Sequence, residues 1–143
     1  MKKKIGILET GPANYLSIKN AIKKLGHQPI IVNNKNISKI QISHLILPGV
    51  GSFDGVMRNL KKQKYIGYIN EYIKADKPIL GICVGFQVLF QKSTEGKLKG
   101  LGIFKGEFES LKNFIKIIPN VGWKKVKGKF NMKKFFGYKK QKY

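Results

Sequence analysis

The run Gly81-Ile82-Cys83-Val84-Gly85 is the part of this sequence best suited to chemistry. It holds the only cysteine of the 143-residue chain, and an ionised thiol is a potent nucleophile. The segment Lys77-Pro78-Ile79-Leu80-Gly81-Ile82 leads into it and reads as a buried strand, while Val84–Lys92 reads as the start of a helix. A strand passing through Gly-x-Cys-x-Gly into a helix has the form of a nucleophile elbow, a turn so sharp that flanking side chains would collide. The turn would hold the Cys83 sulfur above the sheet edge where open α/β sheets bind ligands. The Val84 amide could donate to a developing oxyanion, and the same helix end favours thiolate. A buried structural cysteine is the competing reading, and it does not require the paired glycines or the change from strand to helix.

Pro48-Gly49-Val50-Gly51 follows another predicted strand and would reach the same sheet edge. Its glycines allow the backbone to approach a substrate, so this loop is a candidate second source of oxyanion amides. Standing alone it is equally well an ordinary strand-to-helix turn. A thiol nucleophile usually needs a histidine within hydrogen-bond reach. The sequence offers His27, after a predicted helix stop at Gly26, and His44, at the start of a strand. Both are expected on the side of the sheet remote from Cys83, so neither is assigned as the base. No cluster of His, Cys, Asp and Glu has metal-ligand spacing and no glycine-rich phosphate loop is present, so no cofactor or metal is expected.

The elements that must position these residues alternate between short apolar runs and helical periodicity, the pattern of a parallel sheet with helices on both faces. Strands are predicted at Lys4–Leu8, Pro29–Asn33 and His44–Leu47, besides the one ending at Cys83. Helices are predicted over Leu16–Leu25, with Ile18, Ala21, Ile22 and Leu25 on one face, from near Phe53 with Ser52 as its cap, and over Tyr65–Ala75. The Tyr65, Tyr68 and Tyr72 stripe reads as core and rim packing. Asn34–Ser43 is either a short helix or a loop, Lys97–Gly106 a loop entering a strand, and Phe114–Ile118 a further strand.

The charge is strongly positive, with 29 Lys plus Arg against 7 Asp plus Glu, a net +22. Residues 110–143 hold eleven lysines and no acid. A nucleic-acid partner is nevertheless not expected. Arg58 is the sole arginine, and lysine is spread along the chain together with many Ile and Asn rather than gathered into one stripe. No apolar run approaches membrane-spanning length, so no membrane partner is expected, and a lone cysteine suits a reducing cytoplasm.

Leu47-Pro48-Gly49-Val50-Gly51-Ser52-Phe53 and Lys77-Pro78-Ile79-Leu80-Gly81-Ile82-Cys83-Val84-Gly85-Phe86-Gln87 resemble the class I (triad) glutamine amidotransferases, and more narrowly the glutaminase subunits of imidazole glycerol phosphate synthases. Ala13-Asn14-Tyr15-Leu16-Ser17, Glu95-Gly96 with Gly100-Leu101-Gly102, and Pro119-Asn120-Val121-Gly122-Trp123 support the narrower match. The resemblance implies a flavodoxin-like α/β domain over residues 1–126, while the lysine-rich stretch 127–143, without periodicity, reads as a basic, disordered tail. It implies hydrolysis of glutamine, with Cys83 as nucleophile and the amides of Val50 and Val84 at the oxyanion. Gly49, Gly51, Gln87 and Glu95 would hold the substrate. Asn14, Pro119 and Trp123 would face a (β/α)₈ cyclase that receives the ammonia. The Glu9-Thr10-Gly11-Pro12 loop and Asn120 depart from the family pattern. No histidine follows Cys83, so a family-like chain is expected to be truncated before its His-x-Glu. A paralogue feeding surface-sugar amidation and a catalytically silent fragment are the alternatives.

Overall fold

The computed structural model describes residues 1–114 and 122 and divides the chain into two units, Met1–Ser110 and Leu111–Tyr143. In the second unit Leu111–Asn113 forms one turn of 3₁₀ helix. The expected strand beyond Phe114, the Pro119–Trp123 turn apart from Gly122, and the expected tail lie outside the described residues.

The first unit is built on four parallel strands, β1 (Lys4–Leu8), β2 (Gln28–Val32), β3 (His44–Gly49) and β4 (Ile79–Cys83), in the order β2-β1-β3-β4. This is the order of a flavodoxin-like sheet, whose direction of winding reverses between β1 and β3. Helix α1 (Tyr15–Lys24) follows β1, and α2 (Phe53–Lys62) and α3 (Tyr65–Lys74) lie between β3 and β4. A single turn, α4 (Val84–Gln87), follows β4 directly, and β5 (Phe90–Ser93) and β6 (Phe104–Phe108) pair as a separate two-stranded sheet. The helix expected over Val84–Lys92 thus lasts one turn. The segment beyond it extends because Phe90 pairs with Phe104 across β5 and β6 and meets the Phe86 and Phe108 rings edge to face.

Alternation along the strands feeds two cores. Ile5, Ile7 and Ile46 pack with Ile22, Ile18 and Tyr15 on the α1 face. Leu8, Val32, Leu45 and Leu47 pack on the other face with Phe53, Val56, Met57, Leu60, Tyr65, Ile69 and Tyr72 from α2 and α3. The tyrosine stripe is packing, as its period suggests. Asn34–Lys39 forms turns, not a helix. Ser52 caps α2, accepting a hydrogen bond from the Gly55 amide at 3.1 Å. Gly26, at φ +80°, stops α1 in the left-handed conformation that glycine tolerates.

Two expectations need correction. β4 is not buried: Leu80 is 56% and Ile82 37% exposed. Among the described residues it pairs only with β3, and α1 covers the sheet on the β1–β2 side, leaving that face of β4 open. For the same reason Leu25, expected inward, is 74% exposed beside the recess formed with Ile79 and Leu80. Among the described residues no helix is long and apolar enough to cross a membrane.

Phe53, Val56, Met57 and Leu60 of α2 are buried in this core, and Leu60 is fully buried. Leu60→Ala is expected to destabilise the fold by about 2–5 kcal/mol, read as a lowered urea midpoint with an unchanged slope.

Candidate active site

Cys83 ends β4, pairs in register with Gly49, and stands at φ +55°, ψ −121°. A side-chain-bearing residue at positive φ costs of order 1–3 kcal/mol and persists only where its surroundings enforce it. Here the surroundings are backbone. A Cβ on Gly85 would come within 1.9 Å of the Leu47 carbonyl oxygen, and one on Gly81 within 2.5 Å of the Phe86 Cα. A Cβ on Gly49 would lie 2.7 Å from the Gly85 nitrogen. The end of β3 and the start of α4 therefore touch main chain to main chain. The chain has to reverse at residue 83, which leaves the Cys83 side chain exposed at the carboxyl edge of the sheet.

Val84, buried behind the cysteine, opens α4, so its N–H has no acceptor within the helix. With four residues, α4 supplies one turn of aligned dipoles, less than the helix expected from the sequence. Val50 is half-exposed directly after β3, and Gly51 follows at φ +90°. This loop is tied down by Thr10, whose buried hydroxyl donates to the Pro48 carbonyl at 2.7 Å. Gln87 ends α4 with its Oε1 buried and without a hydrogen-bond partner. Asn14 is exposed and caps α1, accepting from the Ser17 amide at 3.1 Å. Pro119 and Trp123 lie outside the described residues.

Glu95 sits exposed in the turn after β5. The residue that holds this turn is Asp54, in the first turn of α2. Its carboxylate accepts from the amides of Lys97 and Leu98, each at 3.0 Å. Gly96 fits beneath because a Cβ there would reach Asp54 Oδ1 at 2.4 Å. Asp54 thus ties the Glu95 turn to the helix that starts right after Gly51. In the sequence, an acid at a helix start reads as a response to the helix dipole and hides this role. Gly100-Leu101-Gly102 is held likewise: their amides donate to the carbonyls of Gln91, Val88 and Phe90, pinning the later loop against the turn that follows Cys83.

The two histidines are at the other end of the molecule. His44 opens β3 opposite Ile5, and His27 stands just before β2. Both line an apolar recess with Leu25, Pro78 and Leu80. Burial, then the charges of Lys3 and His27, hold His44 below its ordinary value. Neither reaches the carboxyl edge, as the sequence suggests.

Two results are expected. Thr10→Val leaves the Pro48 carbonyl unpaired and should cost about 1–3 kcal/mol in denaturant unfolding. The Leu98 and Lys97 amides hold Asp54 below the usual carboxylate range. A depressed folded value stabilises above the unfolded one and loses its effect as pH falls through the folded one. Hydrogen-exchange protection of Lys97 and Leu98 should therefore be constant near neutrality and fall only in acid below that range. Asp54→Ala should remove it at every pH.

The chain matches the sequence profile described as "Glutamine amidotransferase class-I" over residues 7–141. It is 41% identical over 126 residues to an imidazole glycerol phosphate synthase subunit hisH of Cyanidium caldarium, covering 87% of this chain and 59% of that protein. It is 42% identical over 123 residues to the subunit of the same name from Cyanophora paradoxa, covering 85% of this chain and 57% of the relative. The chain thus spans less than two thirds of the length of these curated relatives. In fold alone it is similar to a Listeria monocytogenes protein assigned as a peptidase E, with TM-score 0.50 and 19% identity over 64% of this chain and 50% of that one. A strained cysteine elbow on a flavodoxin-like sheet, with the profile running through it, makes this chain a member of the class-I glutamine amidotransferase family.

Proposed function

We propose that the chain serves as the glutaminase subunit of an imidazole glycerol phosphate synthase, releasing ammonia from glutamine for a (β/α)₈ cyclase in the cytoplasm. The observation that carries this reading is the backbone of Cys83, an exposed thiol held at φ +55° by glycine contacts on both sides. The likeness to hisH subunits supports the choice within the family.

In this reading the Cys83 thiolate attacks the side-chain amide carbon of glutamine, and the carbonyl electrons move to oxygen. The Val84 and Val50 amides stabilise that oxyanion. Its collapse breaks the carbon–nitrogen bond, and ammonia leaves once its nitrogen is protonated. Water then cleaves the thioester, releasing glutamate and returning the thiol. Gly49 and Gly51 let the substrate lie close to the main chain. The unpartnered Gln87 Oε1 and the Glu95 carboxylate offer acceptors to the substrate's ammonium group. Asn14 and, by the family resemblance, Pro119 and Trp123 are the residues assigned to contact with the cyclase. His27 and His44 line the opposite end of the sheet, so the proton acceptor for Cys83 is neither of the sequence's two histidines. Without its base partner, a nucleophile of this kind loses orders of magnitude in rate.

Covalent trapping separates the nucleophile from turnover. A chloroketone analogue of glutamine should alkylate the full chain once, at Cys83 by peptide mass, and free glutamine should protect against it. Glutamate release in the presence of the cyclase should be slow, and whatever release is measured should fall to background in Cys83→Ala. Equal release by Cys83→Ala and the unaltered chain would refute the assignment.

A further inference from the structure

A second recess of about 580 Å³ opens at the carboxyl ends of β1 and β2, two strands away from Cys83 across the sheet edge. That volume lies within the range of small-molecule sites. Glu9 and Gly11 follow β1, Asn33, Asn34 and Lys35 follow β2, and Asn59 and Gln63 stand on the last turn of α2 and its cap. Tyr65, at the start of α3, completes the wall.

Its chemistry differs from the rest of the surface. On a chain of net charge +22, the lining carries one carboxylate and one ammonium, which cancel, together with four side-chain amides and a phenol. Amides donate and accept at once, and so do hydroxyl groups. Part of the wall is already tied: Asn34 Nδ2 donates to Gln63 Oε1, and Asn33 Oδ1 accepts from the Lys35 amide at 3.0 Å. These bonds fix the wall in advance, which lowers the entropic cost of binding. One acceptor is left over. Asn59 Oδ1 is buried without a donor, and a buried acceptor in that state costs about 1–3 kcal/mol until something donates to it. Gly11, at φ +102°, leaves room beside the same amide, since a Cβ there would sit 3.2 Å from Asn59 Nδ2. Burial and the Glu9 charge keep the Tyr65 phenol above its usual range, hence a neutral donor.

We propose that this recess is a binding site for a neutral polyhydroxylated ligand, a monosaccharide or short oligosaccharide, whose hydroxyl donates to Asn59 Oδ1 while Gln63, Asn33 and Glu9 take the remaining hydroxyls. A neighbouring groove that shares Asn34, Gln63 and Tyr65 continues to Tyr68 and Glu71, giving a second sugar ring a place to lie. The site is independent of the glutaminase reading.

The test uses the full chain and its side-chain amide NMR resonances, titrated with D-ribose, D-glucose and maltose, and with inorganic phosphate and glutamate as charged probes. Saturable millimolar shifts of the Asn59 and Gln63 amides with at least one sugar are expected, weakened about ten-fold in Asn59→Ala, the loss of about one good hydrogen bond. Gln63→Ala should weaken binding similarly, and Lys105→Ala, on β6 outside this lining, should not. Circular dichroism checks that each variant keeps the fold. Absence of saturation with every sugar, tighter binding of phosphate or glutamate at these amides, or unchanged affinity in both amide variants would each overturn the proposal.

Discussion

The structure depends on a contact between two stretches of main chain. Where β3 ends and α4 begins, Gly49 and Gly85 lie against each other and against the Leu47 carbonyl, with no room for a Cβ on either. Parallel strands ordinarily keep about 4.8 Å between backbones and leave side chains to fill the space above. Here the helical turn drops onto the neighbouring strand, and the only residue left to absorb the change of direction is the cysteine between them. The loop after β3, the buried Thr10 anchor and the docking of residues 100–102 are arranged around that meeting point.

The candidate site rests on two different kinds of support. Cys83 is positioned by backbone exclusion, which is stiff. The Glu95 turn is positioned by charge-assisted hydrogen bonds from two amides to Asp54, which depend on ionisation and lie near solvent. One helix, α2, joins both: its cap residue Ser52 closes the loop after Gly51, and its next acid holds the turn carrying Glu95. The hydrophobic underside of α2, through Phe53, Val56, Met57 and Leu60, seats this junction on the sheet.

Much of this was legible from residue types. The strand period of β1 and β3, the Ser52 cap, the Gly26 stop and the glycines about Cys83 each carry a local rule, and each rule held where local geometry decides. What stayed hidden depends on neighbours distant in sequence. Asp54 looks like a helix-end acid until residues 97 and 98 come to it. Leu25 and Leu80 have the pattern of buried residues but line a recess that is left open at the edge of the sheet. Phe90 continues a helical pattern, yet its pairing with Phe104 draws it into β5. The polar recess over β1 and β2 carries no motif at all, since Glu9, Asn33 and Asn59 come from three separate segments.

The conformation of Cys83 sets stability against reactivity at a single position. Glycine is the residue that main chain would accept there at least cost, and any L side chain is kept at the expense of folding free energy. Random substitution accordingly has a downhill route out of the thiol, toward a sturdier protein without the sulfur. A cysteine that stands at this point is held against that slope, and the size of the slope measures how much selection for the sulfur must outweigh.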